Sequence, residues 1–325
     1  MTHVLASIST KGRYDTSLPL AIQSVITQTR PPQQLIIYDD NDHARDVRGT
    51  PVYDSLFRIM QLKNIHWEWI WSGKRGQHHN HQMANERAPE WVWRVDDDCV
   101  AEPTVLENLL KYATPDVAGV AGSCLTPHWD QSERPVTGLI DNIDSECHIQ
   151  WGHISTARQV DHLHCSFLYR ARIHDYNLGL SKVAHREETL FTWGLKQKGY
   201  QLWVIPDTVT WHLKLDAGGI RSDNQAELYA HDDRIFRNFM QHKDKTIVVL
   251  DNGRGDHVLF KRVLDKIVNP LVFSCYPDII PGRSIQEAKD LFGDIDGWNI
   301  YKKMHEWNWR QSVHKAYEKL YGVTS

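Results

Sequence analysis

Trp91-Val92-Trp93-Arg94-Val95-Asp96-Asp97-Asp98 is an aromatic and β-branched run that ends abruptly in three carboxylates. Residues of the first kind favour a strand. Adjacent carboxylates at a strand end repel one another unless a cation sits among them. On an extended backbone Asp96 and Asp98 point to the same side. A hard divalent cation, Mn²⁺ or Mg²⁺, suits such a pair and takes its remaining ligands from phosphate oxygens. A solvated acidic turn is the plainer alternative.

Outward from this run, strands and helices alternate. Val4 to Ser9 reads as a strand. Leu18 to Gln28 carries apolar residues at helical spacing (Leu18, Ile22, Val25, Ile26) and is stopped by Pro31-Pro32. Leu35 to Tyr38 is a short strand running into Asp39-Asp40-Asn41-Asp42. Val52 to Leu62 reads as a helix, His66 to Trp71 as a strand and Gln77 to Arg87 as a helix. Pro103 opens another helix that runs through Tyr112. This β-α-β-α order predicts an α/β fold with a doubly wound, mostly parallel sheet. Ligands of such sheets bind beyond the carboxyl ends of the strands. The acidic clusters at 39–42 and 96–98 should therefore face one cleft.

Downstream the pattern weakens. Residues 126–154 read as a long loop region and Leu163 to Tyr169 as a strand. Glu187 to Lys198 is helical and closed by Gly199. Leu202 to Ile205 and Val209 to Leu213 read as two strands. Residues 216–222 read as a mobile loop, and Gln225 to Gln241 as a helix. These elements place a main domain at 1–243. A small α/β unit at 244–325 would hold a strand at 246–250, a turn at 252–256, a helix at 258–267 and a strand at 271–275. Helices at 284–292 and about 298–321 complete it.

Composition narrows the class. Of 325 residues 41% are apolar, enough for a real core, and the net charge of -4 gives no basic face. That weighs against nucleic acid as the main partner. No apolar run reaches the roughly 18–20 residues a membrane span needs, and the N-terminus lacks a signal-peptide layout. Five scattered cysteines (Cys99, Cys124, Cys147, Cys165, Cys275) read as reduced thiols in a cytoplasmic protein, host cytoplasm if the source is viral. Trp67, Trp69 and Trp71, like Trp91 and Trp93, alternate as on one strand face. Packing explains them, with a stacking platform as the alternative. His78, His79 and His81, and His162 and His164 on a strand, lack a cysteine at zinc-finger spacing. They read as structural or acceptor-lining groups.

Several pieces recur in a fixed order: Ser9-Thr10-Lys11-Gly12-Arg13, then 21–32 with Gln28-Thr29-Arg30-Pro31-Pro32, then Ile36-Ile37-Tyr38-Asp39-Asp40. Gly76 through Asn80 to Ala84 and Val95-Asp96-Asp97-Asp98 follow. Over roughly residues 3–220 this set resembles glycosyltransferase family 2. The resemblance implies a GT-A fold and inverting, metal-dependent transfer of a sugar from a nucleotide-sugar donor. It implies that Asp39 reads the base, that Ser9 and Arg13 flank the donor pocket, and that Asp96 lies near the ribose or metal. Asp98 would ligate Mn²⁺ or Mg²⁺, Asp97 could exchange roles with either neighbour, and His212 would complete the metal site. Glu188, with Glu187 as second choice, stands where the family places its acceptor base, and Arg221 after Gly218-Gly219 would reach the diphosphate. Lys11-Gly12 and the Glu at 188 depart from the family's usual Tyr-Asn and Asp. Asn252-Gly253-Arg254-Gly255-Asp256 is similar to the first turn of heptosyltransferase-like GT-B proteins. The unit around it has too few strands for a nucleotide-binding domain, so packing, oligomerisation or acceptor recognition is expected of it.

The expected reaction is transfer from a UDP-sugar to a glycan hydroxyl. A phage-type transfer to a modified DNA base is an alternative, kept by the Arg- and His-rich stretch 74–87 and the many Trp residues. A non-catalytic sugar-nucleotide-binding relative and a carboxylate-metal phosphohydrolase are the alternatives of other classes.

Overall fold

The computed structural model describes residues 2–73, 75–135, 138–140, 148–215, 217–219, 225–241, 246–250, 270–274 and 283–292. The chain divides into two compact units: Met1–Tyr176 with Ser181–Leu228, and Asn177–Leu180 with Tyr229–Ser325. In chain order the elements are β1 (Val4–Thr10), α1 (Leu18–Ile26), β2 (Gln34–Asp39), α2 (Pro51–Leu62), β3 (His66–Trp71), α3 (Gln77–Arg87) and β4 (Trp91–Asp96). Then come β5 (Cys99–Ala101), α4 (Val105–Lys111), β6 (Val117–Leu125), β7 (Arg158–Val160), β8 (Phe167–Arg170), α5 (Glu187–Gln197), β9 (Gln201–His212) and α6 (Gln225–Gln241).

The sheet of the first unit has the order β3-β2-β1-β4-β8-β6-β9-β5, with β7 paired to β9. β3, β2, β1 and β4 are mutually parallel, as is β6 with β9. The antiparallel pairings, of β8 with β4 and β6 and of β5 and β7 with β9, are only two to four residues long. This is the expected α/β class with a mostly parallel sheet. β1, β2 and β4 are almost wholly buried because helices cover both faces, which is why they read as unbroken apolar runs. α1 and α2 turn Leu18, Ile22, Val25, Tyr53, Leu56 and Met60 into one core with Ile8, Ile37 and Trp93. Gln28, buried at the end of α1, donates to the carbonyls of Ser24 and Glu102 and accepts from the Leu106 amide, tying α1 to the β5–α4 connection.

Some expected elements differ. The segments 202–205 and 209–213 are one strand, β9, whose register against β6 shifts between Ala121 and Ser123. The fourth helix starts at Val105, two residues after Pro103. The strand expected over 163–169 is Phe167–Arg170, so His162 and His164 lie in the irregular segment before it. Within 126–154 the described residues include the 3-10 turn Ile149–Trp151 and no strand. Trp67 stacks on Phe57 of α2 at 4.2 Å, Trp91 and Trp93 are buried, and Trp71 is exposed.

In the second unit β10 (Thr246–Leu250), β11 (Pro270–Ser274) and β12 (Arg283–Ser284) form a parallel three-stranded sheet, followed by α7 (Ile285–Phe292). Arg221, the turn 252–256 and the helices expected at 258–267 and 298–321 lie outside the described residues. No described helix is long and apolar enough to cross a membrane.

Candidate active site

Adjacent parallel strands bring the predicted residues to one sheet end. Ser9 stands opposite Asp96 and Thr10 opposite Asp39 in the ladders. The strand alternation stops at Asp96, because Asp97 and Asp98 form a turn. The three carboxylates therefore diverge. Asp96 faces Arg94 at 3.3 Å. Asp97 accepts hydrogen bonds from the Thr10 hydroxyl at 2.8 Å and the Lys11 amide at 3.2 Å. Asp98 meets Arg13 Nη2 at 3.2 Å through one oxygen and His212 Nε2 at 3.3 Å through the other. Ser9 accepts a hydrogen bond from Asn80 on α3 at 2.7 Å.

These contacts set the charges. Burial and the neighbouring Asp98 charge push Asp97 up to about 7. Asp98 is held low in spite of burial, by His212 and then Arg13. Arg13 is itself buried, and its Nη1 has no hydrogen-bond partner. A buried, unpaired guanidinium nitrogen beside two carboxylates suits a phosphate oxygen. Donor atoms about 3 Å apart also match adjacent corners of an octahedron with bonds of about 2.1 Å. Asp98 and His212 thus fit Mn²⁺ or Mg²⁺, whereas Asp96 is turned toward Arg94. Gly218 and Gly219, both at positive φ, lie over the β1 loop. The Gly219 amide donates to Lys11 O at 2.7 Å, and a Cβ on Gly218 would come within 2.8 Å of Gly12 O.

Asp39 is buried and engaged. It accepts from Tyr14, from Trp69 Nε1 at 3.1 Å and from the Asn41 side chain at 2.7 Å. Its flank lines a cavity of about 550 Å³ together with Trp67, Trp69, Trp71, Arg45 and Arg48. Asp40 caps the amides of Arg75 and Gly76.

The two glutamates at the start of α5 have different surroundings. Glu187 is fully buried and ion-paired with Arg94 Nη1 at 2.5 Å; Arg94 itself is 2% exposed. Burial pushes the Glu187 carboxyl up, and Arg94 pulls it back. Glu188 is 14% exposed and pairs with His164 Nδ1 at 2.8 Å. Against burial, His164 holds Glu188 down to about 2. His164 is pushed up to about 10 by Cys165 and Glu188, which outweigh burial. Cys165 in turn lies 3.9 Å from His212 Nδ1. A chain of polar groups thus links Glu188 to Asp98 through His164, Cys165 and His212.

Sequence reading did not single out Arg94, Tyr14, Cys124 or Cys165, and it left His164 as a structural or acceptor-lining group. Arg94 carried one signal: a charged residue inside a run otherwise buried on both faces needs an ionic partner.

A parallel sheet whose strand ends gather Asp98, His212 and Arg13, with an acidic pair opening a helix nearby, defines a GT-A-type glycosyltransferase. Glycosyl transferase family 2 matches residues 8–172, just over half of the chain, and the chain belongs to that family. No curated protein matches the sequence. Among solved structures it is similar to GalNAc-T7 with UDP, GalNAc and Mn²⁺, at 11% identity and a TM-score of 0.52, over 89% of this chain and 56% of that one. It is also similar to S. aureus TarS, at 12% identity and a TM-score of 0.50, over 98% of this chain and 53% of that one. For TarS 1-349 the values are 12% and 0.47, over 98% of this chain and 88% of that one. At such identities the likeness is one of fold, and the chain spans about half the length of GalNAc-T7 and TarS.

Proposed function

We propose that the chain is an inverting, Mn²⁺- or Mg²⁺-dependent glycosyltransferase that moves a sugar from a nucleotide sugar, a UDP-sugar foremost, to a glycan hydroxyl. The observation that carries this reading is the meeting of Asp98 and His212 beside the unpaired Arg13 nitrogen. A cation held by Asp98 and His212 would neutralise the diphosphate as it leaves. Arg13 Nη1 would bind a phosphate oxygen, and Asp97 would fix Arg13 and the β1 loop. The wall of Trp69, Trp71 and Asp39 would take the base. The acceptor hydroxyl attacks the anomeric carbon as the bond to phosphate breaks, and its proton passes to Glu188. Of the two glutamates Glu188 is the one with solvent access and an imidazole to keep it ionised, while Glu187 is locked to Arg94. Glu187 and Arg94 are positioning residues. Arg221 would close on the diphosphate beyond Gly218-Gly219. The small unit at 244–325 would serve acceptor recognition or oligomerisation.

UDP and Mn²⁺ are the first pair to test, being the ligands held by the solved GalNAc-T7 structure. A donor-site ligand stabilises the fold by RT ln(1 + [L]/Kd), about 2.7 kcal/mol at a hundredfold excess over Kd. UDP should raise the melting temperature only with the metal present, and Asp98→Ala should remove that shift. If neither UDP nor any other nucleoside diphosphate shifts it with Mn²⁺ or Mg²⁺, the donor site is wrongly placed. Salt-dependent binding to duplex DNA would move the acceptor from glycan to a modified base.

A further inference from the structure

The first unit holds a second group of metal donors, whose two cysteines the transfer reaction does not use. β9 lies between β6 and β5. Cys99 on β5 stands directly opposite His212 on β9, and Cys124 on β6 is in register with Thr210. Residues in register, or two apart on one strand, share a face. Cys99, Cys124 and His212 therefore project from the same side of the sheet. Cys165 enters from the segment before β8, with its backbone at φ 53°. That left-handed conformation is costly for a residue with a Cβ. It brings the Cys165 sulfur within 4.8 Å of the Cys124 sulfur and to 3.9 Å from His212 Nδ1.

The ligand atoms of Cys124, Cys165 and His212 all lie within 4.8 Å of one another, and both cysteines are buried. Two sulfurs and an imidazole nitrogen so spaced match three corners of a tetrahedral zinc site, with Zn–S near 2.3 Å and Zn–N near 2.0–2.1 Å. Cys99, opposite His212 in the ladder, lies on the same face of the sheet. The second nitrogen of the imidazole is also accounted for. His212 Nε2 faces the Asp98 carboxylate at 3.3 Å. Zinc-bound histidines commonly donate their other N–H to a carboxylate, which fixes the tautomer. Soft thiolates select zinc over Mn²⁺ or Mg²⁺.

We propose that Cys124, Cys165 and Nδ1 of His212 form a Zn²⁺ site adjoining the donor site and sharing His212 with it. Binding needs Cys124 and Cys165 as thiolates and Nδ1 of His212 unprotonated, so any protons those three atoms carry pass to solvent. The Zn(Cys)₂His centre is electrically neutral, which suits its burial. With zinc on Nδ1, Nε2 keeps its proton and donates it to Asp98, so zinc loading withdraws His212 from the metal of the donor. Zinc should thus weaken the Mn²⁺-dependent nucleotide shift, although its own binding requires no nucleotide.

The test uses the full chain, reduced and stripped of metal. One equivalent of Co²⁺ should give thiolate-to-cobalt charge-transfer bands and intense tetrahedral d–d bands, displaced by Zn²⁺. Cys124→Ser and Cys165→Ser should lose the charge-transfer bands. Asp98→Ala should keep them with roughly 10–100-fold weaker binding. Because Asp98→Ala also removes the donor-site metal, bands that persist in it belong to the thiol site alone. X-ray absorption on the zinc-loaded wild-type chain needs no variant, and should show two sulfurs at about 2.3 Å. A shell of nitrogen and oxygen only, or cobalt bands unchanged in both cysteine variants, would overturn the zinc site. The transferase reading would stand either way.

Discussion

Replacing Arg94 by Met tests whether the acid pair at the start of α5 is held by a buried charge network. Arg94 is 2% exposed and Glu187 fully buried, with 2.5 Å between Nη1 and Oε1. Arg94 also faces Asp96 at 3.3 Å and lies 5.4 Å from the centre of the Phe167 ring. Met preserves most of the volume and removes the charge. Asp96 is a quarter exposed and can turn to water, but Glu187 cannot. Breaking a buried pair by deleting one partner costs about 3–5 kcal/mol. At roughly 2–4 °C per kcal/mol for a unit of about 200 residues, the melting temperature should fall by about 6–20 °C. Urea unfolding followed by tryptophan fluorescence reads this directly, since Trp93 lies next to Arg94. Arg94→Met with Glu187→Met should recover most of the loss, because an apolar pair is often as stable as the ionic one.

The pH dependence gives a second handle. Burial raises Glu187 above its ordinary value near 4.5, and loss of Arg94 raises it further. A carboxyl with a raised folded-state pKa favours the fold when protonated. That contribution is complete below the unfolded value and is lost as pH rises through the folded one. Arg94→Met should therefore be closer to wild type at pH 5 than at pH 8. A single variant less than about 1 kcal/mol down, or a double variant worse than the single, would refute the buried-pair reasoning.

Glu188→Gln should lower turnover by roughly 10²–10⁴-fold, the usual worth of a general base, while nucleotide affinity stays unchanged; steady-state kinetics with a nucleoside-diphosphate release assay separates the two, and unaltered turnover would remove Glu188 as the base. Gly122→Ala would place a Cβ 2.1 Å from Thr208 O, between β6 and β9. A cost of about 1–3 kcal/mol is expected from overpacking, together with loss of the metal-dependent nucleotide shift as β9 carries His212 away. Tyr14→Phe deletes one donor to the Asp39 carboxylate. Chemical denaturation should show a loss of about 1.5–3 kcal/mol, the range for hydrogen bonds to charged groups.

The front half of the sheet was legible because its signals are local. β1, β2 and β4 are apolar runs that end in polar loops or carboxylates, and the parallel ladder aligns those ends by geometry alone. What failed to show in the sequence depends on contacts between distant residues. The alternation rule put Asp96 and Asp98 on one side, yet the chain leaves the strand at Asp97, so Asp98 turns to His212 and Asp96 to Arg94. The His-rich segments 78–81 and 162–164 carry no cysteine at zinc-finger spacing. The cysteines that approach His212 come from β5, β6 and the segment before β8, and only the ladder register unites them. β9 was read as two strands because Pro206 and Asp207 interrupt its apolar pattern, yet the register shift against β6 absorbs both. The consequence is mechanical as well as topological. A continuous β9 carries His212 at its end, where Asp98 meets one imidazole nitrogen and Cys165 approaches the other. Any change that slides β9 along β6 must move His212, which both proposed metal sites share, so neither proposed site can be altered through that strand without the other.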